Sequence, residues 1–149
     1  MANALRRAIK VGEQDVVPRI SDLPFIMPSL QGKVEFEAME EGREDAIMEK
    51  LFSDSVKSVF ARFTDLGEME AIAVQFADGM HVTTGESVPS TDYESIIRKI
   101  DGFEDAVGKL AHSDNVAIRA SAVEFILEGL HLNQLLNKDH VNGRTTYRG

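Results

Sequence analysis

The stretch from Ser113 to Leu136 reads SDNVAIRASAVEFILEGLHLNQLL, and it decides the fold. Its apolar residues recur on several sides of a helical repeat, and Ser113-Asp114-Asn115 places capping side chains ahead of them. A helix that is apolar nearly all round has to be covered by other elements. The sequence therefore predicts one long central helix with the rest of the chain packed around it.

The remaining chain predicts mainly helices around this centre. Residues 43–64 repeat apolar side chains at three- and four-residue steps, and residues 65–77 do so over a shorter length. Residues 33–37 alternate apolar with charged side chains, and residues 80–84 form a β-branched run, so both predict short strands. The predicted fold class is mainly α, a helical domain with a short two-stranded β pairing of 33–37 with 80–84.

The two ends of the chain have a different composition. Residues 1–12 resemble the last turns of a helix, because a cationic turn is followed by Gly12. Three prolines within residues 13–32 exclude a long helix there and predict a Pro-rich connecting segment. Residues 137–149 turn polar, and we expect a disordered tail. The helical domain itself is expected to occupy residues 33–136.

Composition narrows the class of protein. The 149 residues carry 16 Lys and Arg against 25 Asp and Glu, a net charge of −9, which disfavours nucleic-acid binding. There is no cysteine, so disulfides and thiol chemistry are excluded. No apolar run reaches the roughly 20 residues of a membrane span, and the first residues lack a signal-peptide pattern. We expect a soluble, cytoplasmic protein.

Motifs for catalysis or cofactor binding are incomplete. Neither Gly32-Lys33 nor Gly108-Lys109 is preceded by the glycine or followed by the hydroxyl of a phosphate-binding loop, so we expect no ATP binding through such a loop. No histidines have zinc-hydrolase spacing. The acidic run over 35–50 could bind Mg²⁺ or a basic partner surface, but it is more typical of a solvated loop before a helix. We assign no catalytic, cofactor-binding or metal-binding residue. An enzyme would need His81 or His131 beside two carboxylates in one pocket.

Four phrases together carry a family resemblance. They are NALRRA at 3–8, VVPRISDL at 16–23, PSLQGKVE at 28–35 and RASAVEFILEGL at 119–130. Their order and spacing resemble the carboxy-terminal region of bacterial AAA+ ATPases of the magnesium-chelatase I-subunit-like group, relatives of the MoxR-type ATPases. The resemblance covers residues 2 to about 136.

The resemblance implies a division of labour within a parent ATPase. Residues 1–12 would be the end of the helical lid of the ATPase, and the rest would be an accessory helical domain. The parent would hydrolyse ATP with Mg²⁺, but the nucleotide-binding residues of the family have no counterpart in this chain. No cofactor is expected in the chain itself.

We therefore expect a non-catalytic accessory or partner-docking domain. Its partner would be the AAA+ ATPase core or another protein, with self-association as a further outcome and no binding to nucleic acid or membrane. The alternative is an autonomous regulatory or protein-binding helical protein unrelated to an ATPase. The candidate docking residues lie in the first 30 positions and are Leu5, Ile9, Arg19, Phe25, Ile26, Met27 and Leu30.

Overall fold

The computed structural model describes residues 1–30 and 44–149. In this part of the chain the helical elements are α1 (Ala2–Val11), a 3₁₀ helix (Ile20–Ile26), α2 (Met27–Leu30), α3 (Glu44–Phe63), α4 (Leu66–Val74), α5 (Ser90–Lys99), α6 (Phe103–Ala111) and α7 (Val116–Leu132). The strands are β1 (His81–Gly85), β2 (Asn137–Val141) and β3 (Arg144–Arg148). The predicted mainly α class is confirmed, with a small three-stranded antiparallel sheet added.

Helix α7 is the centre of the fold, as the sequence predicts. Its side chains Val123, Ile126, Leu127 and Leu130 are fully buried, and α3, α5 and α6 all pack against it. The side chain of Asn115 caps the helix by accepting hydrogen bonds from the first backbone N–H groups, those of residues 117 and 118. A burial pattern that covers nearly every face explains why α7 needs so few polar residues.

Helix α3 meets α7 through a close contact at its C-terminal end. Phe60 is buried and lies over Gly129, where an added Cβ atom would overlap the Phe60 ring. The Phe60 ring also packs at 5.8 Å, centroid to centroid, from the ring of Phe125. Glycine at 129 is therefore required by the approach of a side chain rather than by backbone conformation. Two other large apolar side chains of α3, Leu51 before Phe60 and Phe63 after it, remain exposed.

The predicted disordered tail over 137–149 is wrong. Residues 137–141 and 144–148 form the β2–β3 hairpin, closed by Asn142 and Gly143 with φ of 51° and 73°. Both residues adopt the left-handed conformation that a two-residue hairpin turn uses, and Asn-Gly is its preferred sequence. Tyr147 of β3 is buried against α7, so one aromatic side chain anchors an otherwise polar hairpin.

The strand predicted over 80–84 is present as β1, with a different partner in the described residues. It pairs antiparallel with β3, with His81 opposite Arg148 and Gly85 opposite Arg144, and the sheet order is β1-β3-β2. Residues 33–37, the predicted partner, lie outside the described residues. No helix in the described part of the chain is long and apolar enough to cross a membrane.

The amino-terminal residues form α1 and then a 3₁₀ helix that continues into the single turn of α2. Helix α1 ends at Gly12, whose φ of 75° is the left-handed cap that the sequence predicts. The three prolines at 18, 24 and 28 limit the following residues to short helical pieces. We refer to residues 1–30 as the N-terminal segment.

Candidate functional site

The N-terminal segment is fixed by a buried carboxylate, Glu13, just after α1. Its Oε2 atom accepts a hydrogen bond from Nη1 of Arg7 at 2.8 Å. Its Oε1 atom accepts from Nη2 of Arg19 at 2.6 Å and from the backbone N–H of Ser90 at 2.7 Å. Glu13 thus joins α1, the connecting residues and the first turn of α5. Charge-assisted hydrogen bonds of this kind are short and strong.

Asp22 is a second buried carboxylate beside the first. Its Oδ2 atom accepts from Nη2 of Arg7 at 3.2 Å and from the backbone N–H of Arg19 at 2.9 Å, and its Oδ1 atom accepts from Asn3 at 2.7 Å. Burial on its own would lower the pKa of Arg7, but the hydrogen bond and charge of Asp22, together with the charge of Glu13, raise it. Arg7 therefore stays cationic inside the protein.

The same cluster reaches the helices of the core. Nη1 of Arg19 donates to the carbonyl oxygen of Val88 at 2.9 Å, and the guanidinium lies 4.8 Å from the ring centroid of Tyr93. The backbone N–H of Ser21 donates to Oε2 of Glu124 at 2.8 Å, while the hydroxyl of Tyr93 donates to the other oxygen of Glu124. Burial first, and then the Glu124 charge, raise the pKa of Tyr93. We call Arg7, Glu13, Arg19 and Asp22 the charged cluster.

The outer side of the N-terminal segment exposes large apolar side chains. Leu5 is 50% exposed, Ile9 73%, Phe25 42% and Ile26 36%. Leu5 and Ile9 are one turn apart on α1, whereas Phe25 and Ile26 line an open groove of about 390 Å³ between α1 and the 3₁₀ helix. We call these four exposed side chains together the N-terminal face; of the four, Phe25 and Ile26 line the groove, and Leu5 and Ile9 do not. Its apolar side chains are exposed to solvent, while the segment that carries them is bound to the core through the charged cluster.

The predicted docking residues divide into three groups. Leu5, Ile9, Phe25 and Ile26 are exposed on the N-terminal face. Met27 and Leu30 are half-buried on α2. Arg19 is not exposed as a docking residue would be, because its side chain is fully buried and bound to Glu13 and to a backbone carbonyl. We assign it to the charged cluster, where its contacts hold the N-terminal segment in place, and it also lines the groove.

Sequence reasoning missed the residues that organise this site. The Arg6 guanidinium lies 4.9 Å from the Phe25 ring centroid, and one of its nitrogens donates to the Asn3 side chain. The basic run on α1 was the available signal for Arg6. Nothing in the sequence pointed to Glu13, whose Ser90 contact spans 77 positions.

Two further polar clusters bind elements of the core together. Glu128 on α7 accepts from the Tyr147 hydroxyl at 2.8 Å and from Lys138 at 2.8 Å. Arg119 donates to Glu94 and Glu104, both at 2.8 Å, and these hydrogen bonds raise its pKa. The residues of each cluster come from separate helices and strands. We therefore give these clusters a structural role, that of holding the elements together.

The residues that could serve an acid–base enzyme are not gathered in the groove. His131 approaches the backbone carbonyl of Leu136 at 3.0 Å through Nδ1, and His81 is exposed at the start of β1. The groove lining contains neither histidine. Across residues 1–30 and 44–149, no group of three or more His, Asp and Glu side chains is arranged to hold a metal ion.

Comparison with family models, curated proteins and solved structures produced no match to this chain.

Proposed function

We propose that this chain is a non-catalytic docking domain whose N-terminal face binds the AAA+ ATPase core of a magnesium-chelatase-like protein. The observation that carries the proposal is the exposure of Leu5, Ile9, Phe25 and Ile26 on a segment anchored by buried ion pairs. Scattered exposed apolar residues are ordinary on protein surfaces, whereas apolar residues that form one contiguous patch are typical of an interaction surface.

The energetics of such a surface favour association. Removing apolar surface from water contributes about 25 cal/mol per Å², and large side chains supply most of it. Because the charged cluster already fixes the segment, little conformational entropy is left to lose when a partner covers it. Binding to this face would therefore keep a larger part of the burial free energy than binding to a mobile tail.

The identity of the partner comes from the family resemblance. The phrases at 3–8 and 16–23 belong to the N-terminal segment, and the first of them contains Leu5 of the N-terminal face. In a parent protein of that family, ATP and Mg²⁺ would be bound by the ATPase core, and this domain would contribute contacts. The sequence has no phosphate-binding loop of its own.

The test measures binding of the AAA+ core from the matching magnesium-chelatase-like ATPase to this chain by calorimetry. Changing Phe25→Ser and Ile26→Ser together should abolish binding while the circular-dichroism spectrum stays native. The matched control is Leu66→Ser with Val74→Ser, which removes two apolar residues from α4 that are even more exposed than Phe25 and Ile26. The control should bind like the wild type.

Three results would separate the proposal from its alternatives. No binding of the ATPase core to the wild-type chain removes the proposed partner. A wild-type homodimer that the Phe25 and Ile26 changes dissociate would assign the face to self-association. Equal loss of binding in the α4 control would show that the N-terminal face is not the docking site. If the ATPase core does not bind, the remaining hypothesis is an autonomous regulatory or protein-binding protein.

A further inference from the structure

We infer that the N-terminal face selects an acidic amphipathic helix, with the apolar residues of the partner on α1 and its carboxylates against Arg6 and Lys10. This inference rests on the proposed function and adds the chemistry of the partner. It follows from the arrangement of charge on α1.

Helix α1 presents an apolar row to solvent. Met1, Leu5 and Ile9 are spaced four residues apart and are 81%, 50% and 73% exposed. Side chains at such spacing form a ridge along a helix, and a ridge of this kind packs into the groove of a second helix. The buried side of α1 carries Ala4, Arg7 and Ala8 instead. The larger apolar side chains thus face outward.

The row beside this ridge is cationic. Arg6 and Lys10 are both exposed and lie one turn apart, and the sequence of α1, ANALRRAIKV, holds no acidic residue. The chain as a whole has a net charge of −9. An acidic partner is therefore repelled by the protein at large and attracted at this face, which favours one docking orientation.

Arg6 is held at the edge of the groove. Its guanidinium stacks over Phe25 and donates to Asn3, yet 62% of its side chain is exposed. Glu86 approaches Arg6 to 3.8 Å and is the carboxylate that a partner would displace. Removing that internal competitor should therefore strengthen binding.

The first experiment uses two synthetic helical peptides with the same leucine row, one flanked by glutamates and the other by lysines. The glutamate peptide should bind the full chain, and its affinity should fall as salt is added. The lysine peptide should bind α1 at least about tenfold more weakly, because its charges repel Arg6 and Lys10, and displacement of the glutamate peptide measures binding at α1 rather than at the acidic remainder of the surface. Equal binding of the two peptides, or no binding of either, would overturn the inference.

The second experiment changes the chain. Arg6→Glu with Lys10→Glu should weaken binding of the glutamate peptide about tenfold. The neutral pair Arg6→Gln with Lys10→Gln should weaken this binding less. Glu86→Gln should tighten binding. The control Arg98→Glu with Lys99→Glu makes the same charge change on α5 and should leave affinity nearly unchanged.

The outcomes separate this inference from the proposed function. If the Phe25 and Ile26 changes abolish binding of the ATPase core while the Arg6 and Lys10 changes do not alter it, the docking face stands and the acidic partner is wrong. If the α5 control weakens binding as much as the α1 changes, net charge alone is responsible, and the inference fails.

Discussion

Replacing Glu13 by glutamine tests whether the charged cluster holds the N-terminal segment. Glu13 is 7% exposed at its side chain and accepts from Arg7, Arg19 and the N–H of Ser90. A glutamine has one acceptor oxygen, so its amide nitrogen would face a buried guanidinium. Breaking a buried ion pair on one side costs about 3–5 kcal/mol, and each charge-assisted hydrogen bond lost accounts for about 1.5–3 of that.

Urea unfolding followed by circular dichroism measures this cost. With a denaturant slope of about 2 kcal/mol per M, a loss of about 4 kcal/mol lowers the unfolding midpoint by about 2 M. The control is Glu68→Gln, which breaks an ion pair with Lys109 whose side chains are 49% and 58% exposed. The control should shift the midpoint far less, because water screens exposed pairs. Equal shifts in the two variants would refute the reasoning.

Two other predictions concern the core. Ile126→Ala removes a fully buried side chain from α7 and should lower the free energy of unfolding by about 2–5 kcal/mol in the same urea titration; an unchanged midpoint would misplace the core. Burial, followed by the charges of Glu124 and Glu128, raises the pKa of Tyr93 and Tyr147. Because the fold binds these protons more tightly than the unfolded chain does, stability should be retained below about pH 10 and lost as the pH rises above it. Tyrosinate absorbance should then appear together with the loss of helical circular dichroism, and tyrosinate in a native spectrum near pH 10 would contradict this.

The central helix could be predicted because its signal is local. The stretch 113–136 is apolar on several sides, and a capping residue stands before it. Residues three and four apart share a helix face, so their pattern reports burial without any knowledge of the partner. Helix α3 follows the same rule only in part, since Phe60 is buried while Phe63 on the same helix is exposed. Periodicity identifies a helix but does not say how much of its apolar face is covered.

The β-hairpin shows where composition misleads. Residues 137–149 are polar, and polarity over a short stretch predicts disorder. The informative signal was Asn142-Gly143, a turn that sets two strands in register at little conformational cost. The hairpin is secured by Tyr147, whose hydroxyl donates to Glu128 on α7. One buried aromatic and one turn outweigh the average polarity of the segment.

The apolar side chains of the candidate site could be named from the sequence, but the cluster behind them could not. Leu5, Ile9 and Phe25 are large apolar residues in a segment for which the sequence predicts no packing partner within the chain. The sequence predicts that Arg19 is equally accessible, and only the fold shows that it is buried in an ion pair with Glu13. Ion pairs between elements leave no periodicity, because their members meet only after the chain has folded.

The composition of α1 explains why a charged cluster stands where an apolar core would be expected. Among its buried residues only Ala4 and Ala8 are apolar, and two methyl groups contribute little to docking a helix. Leu5 and Ile9 could supply that burial, yet they face outward. Directional hydrogen bonds from Arg7 to two carboxylates fix the position of α1 in their place. A buried ion pair often stabilises a protein no better than apolar side chains would. Here the ion pairs position α1 while Leu5 and Ile9 stay exposed. The apolar surface of α1 is therefore left for the partner that we propose.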